Sequence, residues 1–151
     1  MLAPQDFVGL RMRIQSSRVI AHQMRALGAK PVVLGFGETR RALATGVVDG
    51  TENPVSNLWT QRMHEVQTDL SLTRHGYLGY CVVVNQRFWN HLPQADRALV
   101  RQAMTEALDW GNTIAQYEND EALAHLRLRG GTRIHVPDED QRQRLRQDRK
   151  S

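Results

Sequence analysis

The sequence predicts an α/β fold, and three observations carry that reading. The stretch "GLRMRIQSS" alternates apolar Leu10, Met12 and Ile14 with Arg11, Arg13 and Gln15, the two-residue period of a half-buried strand. "KPVVLGF" is a short β-branched run bounded by Pro31 and Gly35, the pattern of a buried strand. Stretches of helical period separate such runs along the chain, and strands alternating with helices build an α/β sheet.

In chain order, residues 1–8 lead into the first strand. Arg13 lies on the face of that strand opposite Met12 and Ile14, so its plainest reading is a solvated residue. Ser16 and Ser17 both suit the cap of a helix over "RVIAHQMRALGA", which stops at Gly28. After the second strand, "ETRRALATG" predicts a helix ending at Gly46, and "VVDG" a brief strand or turn. From Pro54 a helix is expected to about Gln67, with Val55, Leu58, Trp59, Met63 and Val66 near one face. "GYLGYCVVVNQRFW", residues 76–89, reads as a strand, and its continuous apolar character predicts a central one. The longest helical pattern follows, with Pro93 suited to its first turn and Gly130 and Gly131 to its stop. "TRIHV" is a last strand, and "DEDQRQRLRQDRKS" begins a charged helix.

At 151 residues and 40% hydrophobic content, the chain fits one domain with a sizeable core. No run approaches the ~20 apolar residues that span a bilayer. The start, "MLAPQDFVGLRMR", lacks the basic-then-apolar order of a secretory signal, so the expectation is either a cytoplasmic protein or a start lying further upstream. The formal charge is +4, and all but two of the 20 basic residues, Lys30 and Lys150, are arginine. These arginines are scattered with no aromatic residues interleaved for stacking, so no nucleic-acid partner is expected. Cys81, alone in "YCVVV", excludes an internal disulfide and predicts a buried structural thiol.

"LGFGETRR" resembles a dinucleotide-binding turn, but Arg40 stands where the third glycine must let helix and strand pack closely, so no nucleotide cofactor is expected. The six histidines lack metal-ligand spacing, and no Ser, Cys or Thr sits in a nucleophile motif, so neither a metal nor an enzyme is expected. What remains is Arg13 on a strand, Phe36 at the end of the next, and Glu52 and Asn53 in the turn "DGTENP". Ligands of parallel sheets collect at the carboxyl ends of strands, where all three stretches place side chains. A guanidinium can grip a carboxylate through two parallel hydrogen bonds, an asparagine amide can donate to it or fix a neighbouring hydroxyl, and Phe36 can wall the site. Singly, each has a plainer reading: Arg13 solvated, Phe36 in the core, and the acidic-amide pair as turn chemistry.

In combination, "GLRMRIQSS", "LGAKPVVLGFGETRRALATGVVDGTENP", "HEVQTDLSLTRHGY" and "WNHLP" resemble, in order over roughly residues 5–135, the solute-binding proteins of TRAP transporters, the tripartite ATP-independent periplasmic family. The resemblance implies a type II periplasmic-binding-protein-like fold, of which this chain carries the second lobe and the crossing elements. Residues 9–77 would form lobe two and residues 78–118 a crossing strand and helix belonging with lobe one. Residues 119–151 would supply the return helix, a strand and a shortened last helix. By motif it implies that Arg13 pairs with a substrate carboxylate, that Asn53 faces the ligand, that Glu52 and Pro54 hold the turn, and that Phe36 opens the next helix. Ser16 and His75 are further ligand-binding candidates. The implied function is capture of a small organic acid for membrane permease subunits, with a periplasmic location. An extracytoplasmic sensor module and a basic nucleotide- or nucleic-acid-binding domain are the alternative readings.

Overall fold

Arg11–Ile14 forms the middle strand, β1, of a three-stranded parallel sheet in this computed structural model, which describes residues 3–147. β2, Lys30–Val33, lies on one side, with Arg13 level with Val32. β3, Gly50–Thr51, lies on the other, with Arg13 level with Thr51. A residue with a Cβ at position 50 would bring that atom to 2.8 Å from the Met12 sulfur, so only glycine lets β3 pass here without moving Met12.

Helices cover both faces. On one, Met12 and Ile14 pack with Phe7, Met24, Ala29 and Leu145. Phe7 arrives on a short 3-10 turn, Pro4–Phe7, and Met24 on α1, Arg18–Ala26. Ser17 caps α1 by accepting a hydrogen bond from the Ile20 N–H at 3.3 Å, so of the two candidate serines the second does this work. On the other face Ala42 and Leu43 of α2, Thr39–Ala44, pack with Val48, Leu58, Met63 and Leu126. The strand's alternation is confirmed, but its second face is not solvated. Arg13 is 1% exposed, which corrects its plainest sequence reading: this sheet is covered on both sides.

The helix expected from Pro54 to Gln67 is shorter. α3 spans Val55–Thr60, then Arg62 takes a left-handed backbone (φ 54) and Met63–Glu65 form a 3-10 turn. The Arg62 N–H bonds back to the Trp59 carbonyl at 2.9 Å, closing the helix as a glycine would. β4, Asp69–Ser71, was not anticipated, and pairs in parallel with β5, Arg133–His135, as a separate two-stranded sheet.

The central strand expected over residues 76–89 is also corrected. Residues 76–85 belong to no helix or ladder, and Asn85 caps a short helix, α4, Gln86–His91. A strand needs a neighbour's N–H and C=O groups, and no described strand runs beside this one. Tyr77 is 92% exposed and Val83 85%, and Cys81 is exposed rather than buried.

α5, Gln94–Arg129, runs 36 residues, about 54 Å at 1.5 Å per residue. It ends where Gly130 and Gly131 take positive φ, as their spacing predicts. Its last turns dock on α3: Ala122 and Leu126 are buried, and Asn119 Oδ1 accepts from the Ser56 N–H at 3.1 Å, capping a helix whose own N-cap, Pro54, offers no side-chain acceptor. α6, Glu139–Gln147, places Leu145 against the first core. Among the described residues no helix is long and apolar enough to cross a membrane.

Leu126 is the α5 residue most deeply set in the second core, so Leu126→Ala should cost about 2–5 kcal/mol of unfolding free energy. Urea unfolding followed by tryptophan fluorescence measures this, and a loss below about 1 kcal/mol would mean that α5 does not dock on α3.

Candidate ligand-binding site

Arg11 and Arg13 project from the same face of β1, yet they meet different surroundings. Arg11, at the start of the strand, is paired with Asp49. Its backbone N–H and Nε donate to Asp49 Oδ2 at 2.8 and 3.0 Å, and its Nη2 donates to Oδ1. These bonds hold the Asp49 carboxyl down at about 2, against an ordinary 3.8. Arg11 therefore clamps the amino end of β1 to the segment entering β3, away from the strands' carboxyl ends.

Arg13 lies toward those carboxyl ends. Its Nε and Nη2 both donate to the Leu34 carbonyl, at 3.1 and 2.9 Å, which fixes the guanidinium against the exit of β2. The same carbonyl takes both bonds, so the guanidinium's outer edge is left over. Nη1 is buried and has no hydrogen-bond partner. Desolvation lowers the guanidinium pKa, with the nearby Glu52 charge opposing the shift.

Phe36 opens the 3-10 turn Phe36–Glu38 after β2, and the guanidinium carbon of Arg13 stands 5.8 Å from its ring centroid. The ring is 37% exposed, which corrects its plainer reading as core. The turn is closed locally, with the Gly35 N–H donating to Glu38 Oε2 at 3.0 Å and Thr39 Oγ1 donating to the Gly35 carbonyl at 3.2 Å.

Glu52 and Asn53 follow β3 directly. Asn53 Nδ2 donates to Thr51 Oγ1 at 3.0 Å, folding the amide back toward the residue level with Arg13, and its buried Oδ1 is unpartnered. Glu52 Oε2 lies 3.7 Å from His75 Nε2, while His75 Nδ1 is 2.7 Å from Thr73 Oγ1. Arg13, Phe36, Glu52, Asn53 and His75 thus form one set at the carboxyl end of the three-stranded sheet. Ser16, on the connection from β1 to α1, is exposed and takes no part in these contacts. Sequence reasoning missed the Leu34 carbonyl, a backbone atom with no sequence signal, and Thr51, which only the β1–β3 register brings level with Arg13. Among the described residues no three His, Cys, Asp or Glu cluster closely enough to hold a metal ion.

The whole chain, residues 1–151, matches the DctP family, described as bacterial extracellular solute-binding protein, family 7. It is 52% identical over 132 residues to the C4-dicarboxylate-binding periplasmic protein DctP of Rhodobacter capsulatus, covering 87% of this chain and 40% of that relative. Among solved structures it resembles a TRAP periplasmic solute-binding protein from Shewanella oneidensis with bound succinate, at a TM-score of 0.96 and 33% identity over 99% of this chain and 49% of the other. A counterpart from Pseudomonas aeruginosa with bound L-malate gives a TM-score of 0.94 and 32% identity over 99% of this chain and 52% of the other. The chain spans about half the length of these structural relatives, and its fold is theirs over that span.

Because Asp49 titrates at about 2 when folded and near 3.8 when free, its contribution to stability is present above about pH 4 and lost as pH falls toward 2. Asp49→Asn should therefore lower the thermal midpoint at pH 7, and the gap from the parent should close between pH 4 and pH 2. A gap that stays constant over that range would remove the carboxylate from the account.

Proposed function

Because the chain belongs to the DctP family of bacterial extracellular solute-binding proteins, family 7, we propose that it carries the arginine-bearing lobe of a receptor that captures a small organic acid in the periplasm for a TRAP permease. The observation that carries this reading is the buried Arg13 guanidinium, held on one side by the Leu34 carbonyl and unpartnered at Nη1. A fixed, desolvated guanidinium with a free edge is an acceptor-seeking group, and a carboxylate supplies two oxygens in the matching plane. The site binds and orients; the family is one of solute-binding proteins, and no catalytic step is assigned to it.

In this reading the acid's carboxylate docks on the outer edge of Arg13, between the Phe36 ring and the turn that carries Asn53. Glu52 balances the arginine charge while the cleft is empty, and its contact with His75 ties the turn to the segment leaving β4. Residues 9–77 are the lobe that presents these groups. Residues 78–118 face the part of a family member that this chain does not span, which accounts for the apolar surface they leave open at Tyr80, Leu99 and Trp110. Hinge closure of that part over the acid completes capture, and the closed form is what the membrane subunits recognise.

One charge-assisted fork is worth a few kcal/mol, so this chain alone should bind a C4-dicarboxylate with about millimolar affinity. NMR titration of the Arg13 Nε–H and Asn53 side-chain amide signals reads it directly. Arg13→Met, which keeps the bulk and removes the charge, should abolish the response while circular dichroism stays unchanged. Binding retained in Arg13→Met, or no response of the parent chain to about 50 mM of any C4-dicarboxylate, roughly fiftyfold above a millimolar Kd, overturns the reading.

A further inference from the structure

α3 starts without a cap of its own. A helix leaves its first N–H groups without internal partners, and Pro54, in the capping position, makes no side-chain bond to them. Asn119 supplies one from 63 residues away: its Oδ1 accepts from the Ser56 N–H at 3.1 Å, and its Nδ2 donates to the Ala115 carbonyl at 2.8 Å. A backbone N–H can only donate and a backbone C=O can only accept, so both bonds set the amide the same way round. Ala122 and Leu126, three and seven residues further on, share this face of α5 and are buried, which keeps Asn119 at the start of α3.

From α3 the chain leads back to the turn of the candidate site through stiff backbone. The Pro54 ring locks its own φ, which is −57°, and bars the residue before it, Asn53, from the helical region. Little rotation is left between Asn53 and the first turn of α3, so where that helical turn sits decides where Glu52 and Asn53 sit. Resting on the reading of Arg13 and its surroundings as an acid-binding site, we propose that Asn119 is a positioning residue for that site. By capping α3 from α5 it holds the segment Glu52 to Pro54 in the binding arrangement, and so sets the affinity for the acid. Its amide is engaged by backbone at both ends, so it acts through α3. Without the cap the first turn of α3 is loosened, and binding must then order that segment as well, which weakens it.

The test uses the full chain, with succinate as the probe and the Asn53 side-chain amide as the NMR reporter. Without ligand, Asn119→Ala should shift the Asn53 signal; with succinate, it should raise the dissociation constant about fivefold, the worth of an ordinary helix cap as an equilibrium ratio. Asn119→Asp, which keeps an accepting oxygen, should bind within about twofold of the parent chain. Met24→Ala, in the core on the other face of the sheet, controls for stability alone: it should lower the thermal midpoint more than Asn119→Ala does and leave the affinity unchanged. Affinity that follows the thermal midpoint across these variants, or an Asn119→Ala chain that binds succinate as the parent does, overturns the proposal and leaves the carboxylate reading standing. A loss in Asn119→Asp as deep as in Asn119→Ala removes the cap as the cause and overturns it too. If the parent chain gives no response to succinate, the carboxylate reading fails and this proposal falls with it.

Discussion

A buried guanidinium is the constraint around which this sheet is arranged. Arg13 is almost fully withdrawn from water, and an ion in that position is costly unless fixed dipoles or charges replace its hydration. The Leu34 carbonyl, the face of Phe36 and the carboxylate of Glu52 take that role, and they come from three different segments. What holds them at one place is the parallel register of β2, β1 and β3. A slip of one residue in β1 would turn Arg13 into the methionine-lined core and bring Met12 or Ile14 to the cleft, so register and site are a single requirement.

The contrast between Arg11 and Arg13 shows how position decides the use of a residue type. Both lie on one face of one strand, two residues apart. Arg11 meets an aspartate that answers its Nε and Nη2 and its backbone N–H, and the result is a rigid, exposed clamp between β1 and the approach to β3. Arg13 meets a single carbonyl, which immobilises one edge and leaves the other unmet. An exposed arginine paired with a carboxylate is a fastener; a buried one held by a carbonyl, with a nitrogen unmet, is a receptor group. The sheet's amino end is thus closed chemically while its carboxyl end remains open.

Much of this was legible in the sequence, for physical reasons that also explain the failures. The two-residue period of "GLRMRI" placed β1 and sorted its faces correctly, because periodicity reports which side chains lie together. It could not report that the second face is also covered, since that depends on α2, α3 and the end of α5 arriving from far along the chain. The turn "DGTENP" and the run to Phe36 were recognisable as carboxyl-end positions, and both arrive there. The stretch at residues 76–89 was read as a strand because its composition favours one, but a ladder is made by two segments and composition describes only one of them. The break after α3 was invisible because Arg62, not a glycine, takes the left-handed conformation. β4 was missed because three residues, two of them polar, carry no period to detect.

α5 passes through two environments, and the change falls near Asn119. From Asn119 onward the helix is fastened: its amide caps α3, Ala122 and Leu126 are buried, and Arg129 donates to His64, itself stacked on Trp59. Before that point Leu99, Leu108, Trp110 and Tyr117 lie open, as do Tyr77, Tyr80 and Val82 to Val84. Apolar surface removed from water contributes roughly 25 cal/mol per Å², so these open side chains favour whatever covers them. An uninterrupted helix anchored at one end and apolar at the other transmits position along its length, since bending it requires breaking backbone hydrogen bonds. In the proposed receptor, the covering part would therefore be held by the same helix whose last turns pack beneath α3, and α3 begins two residues after Asn53. Closure of the cleft and the placement of the turn that bears Asn53 would then share one rigid element.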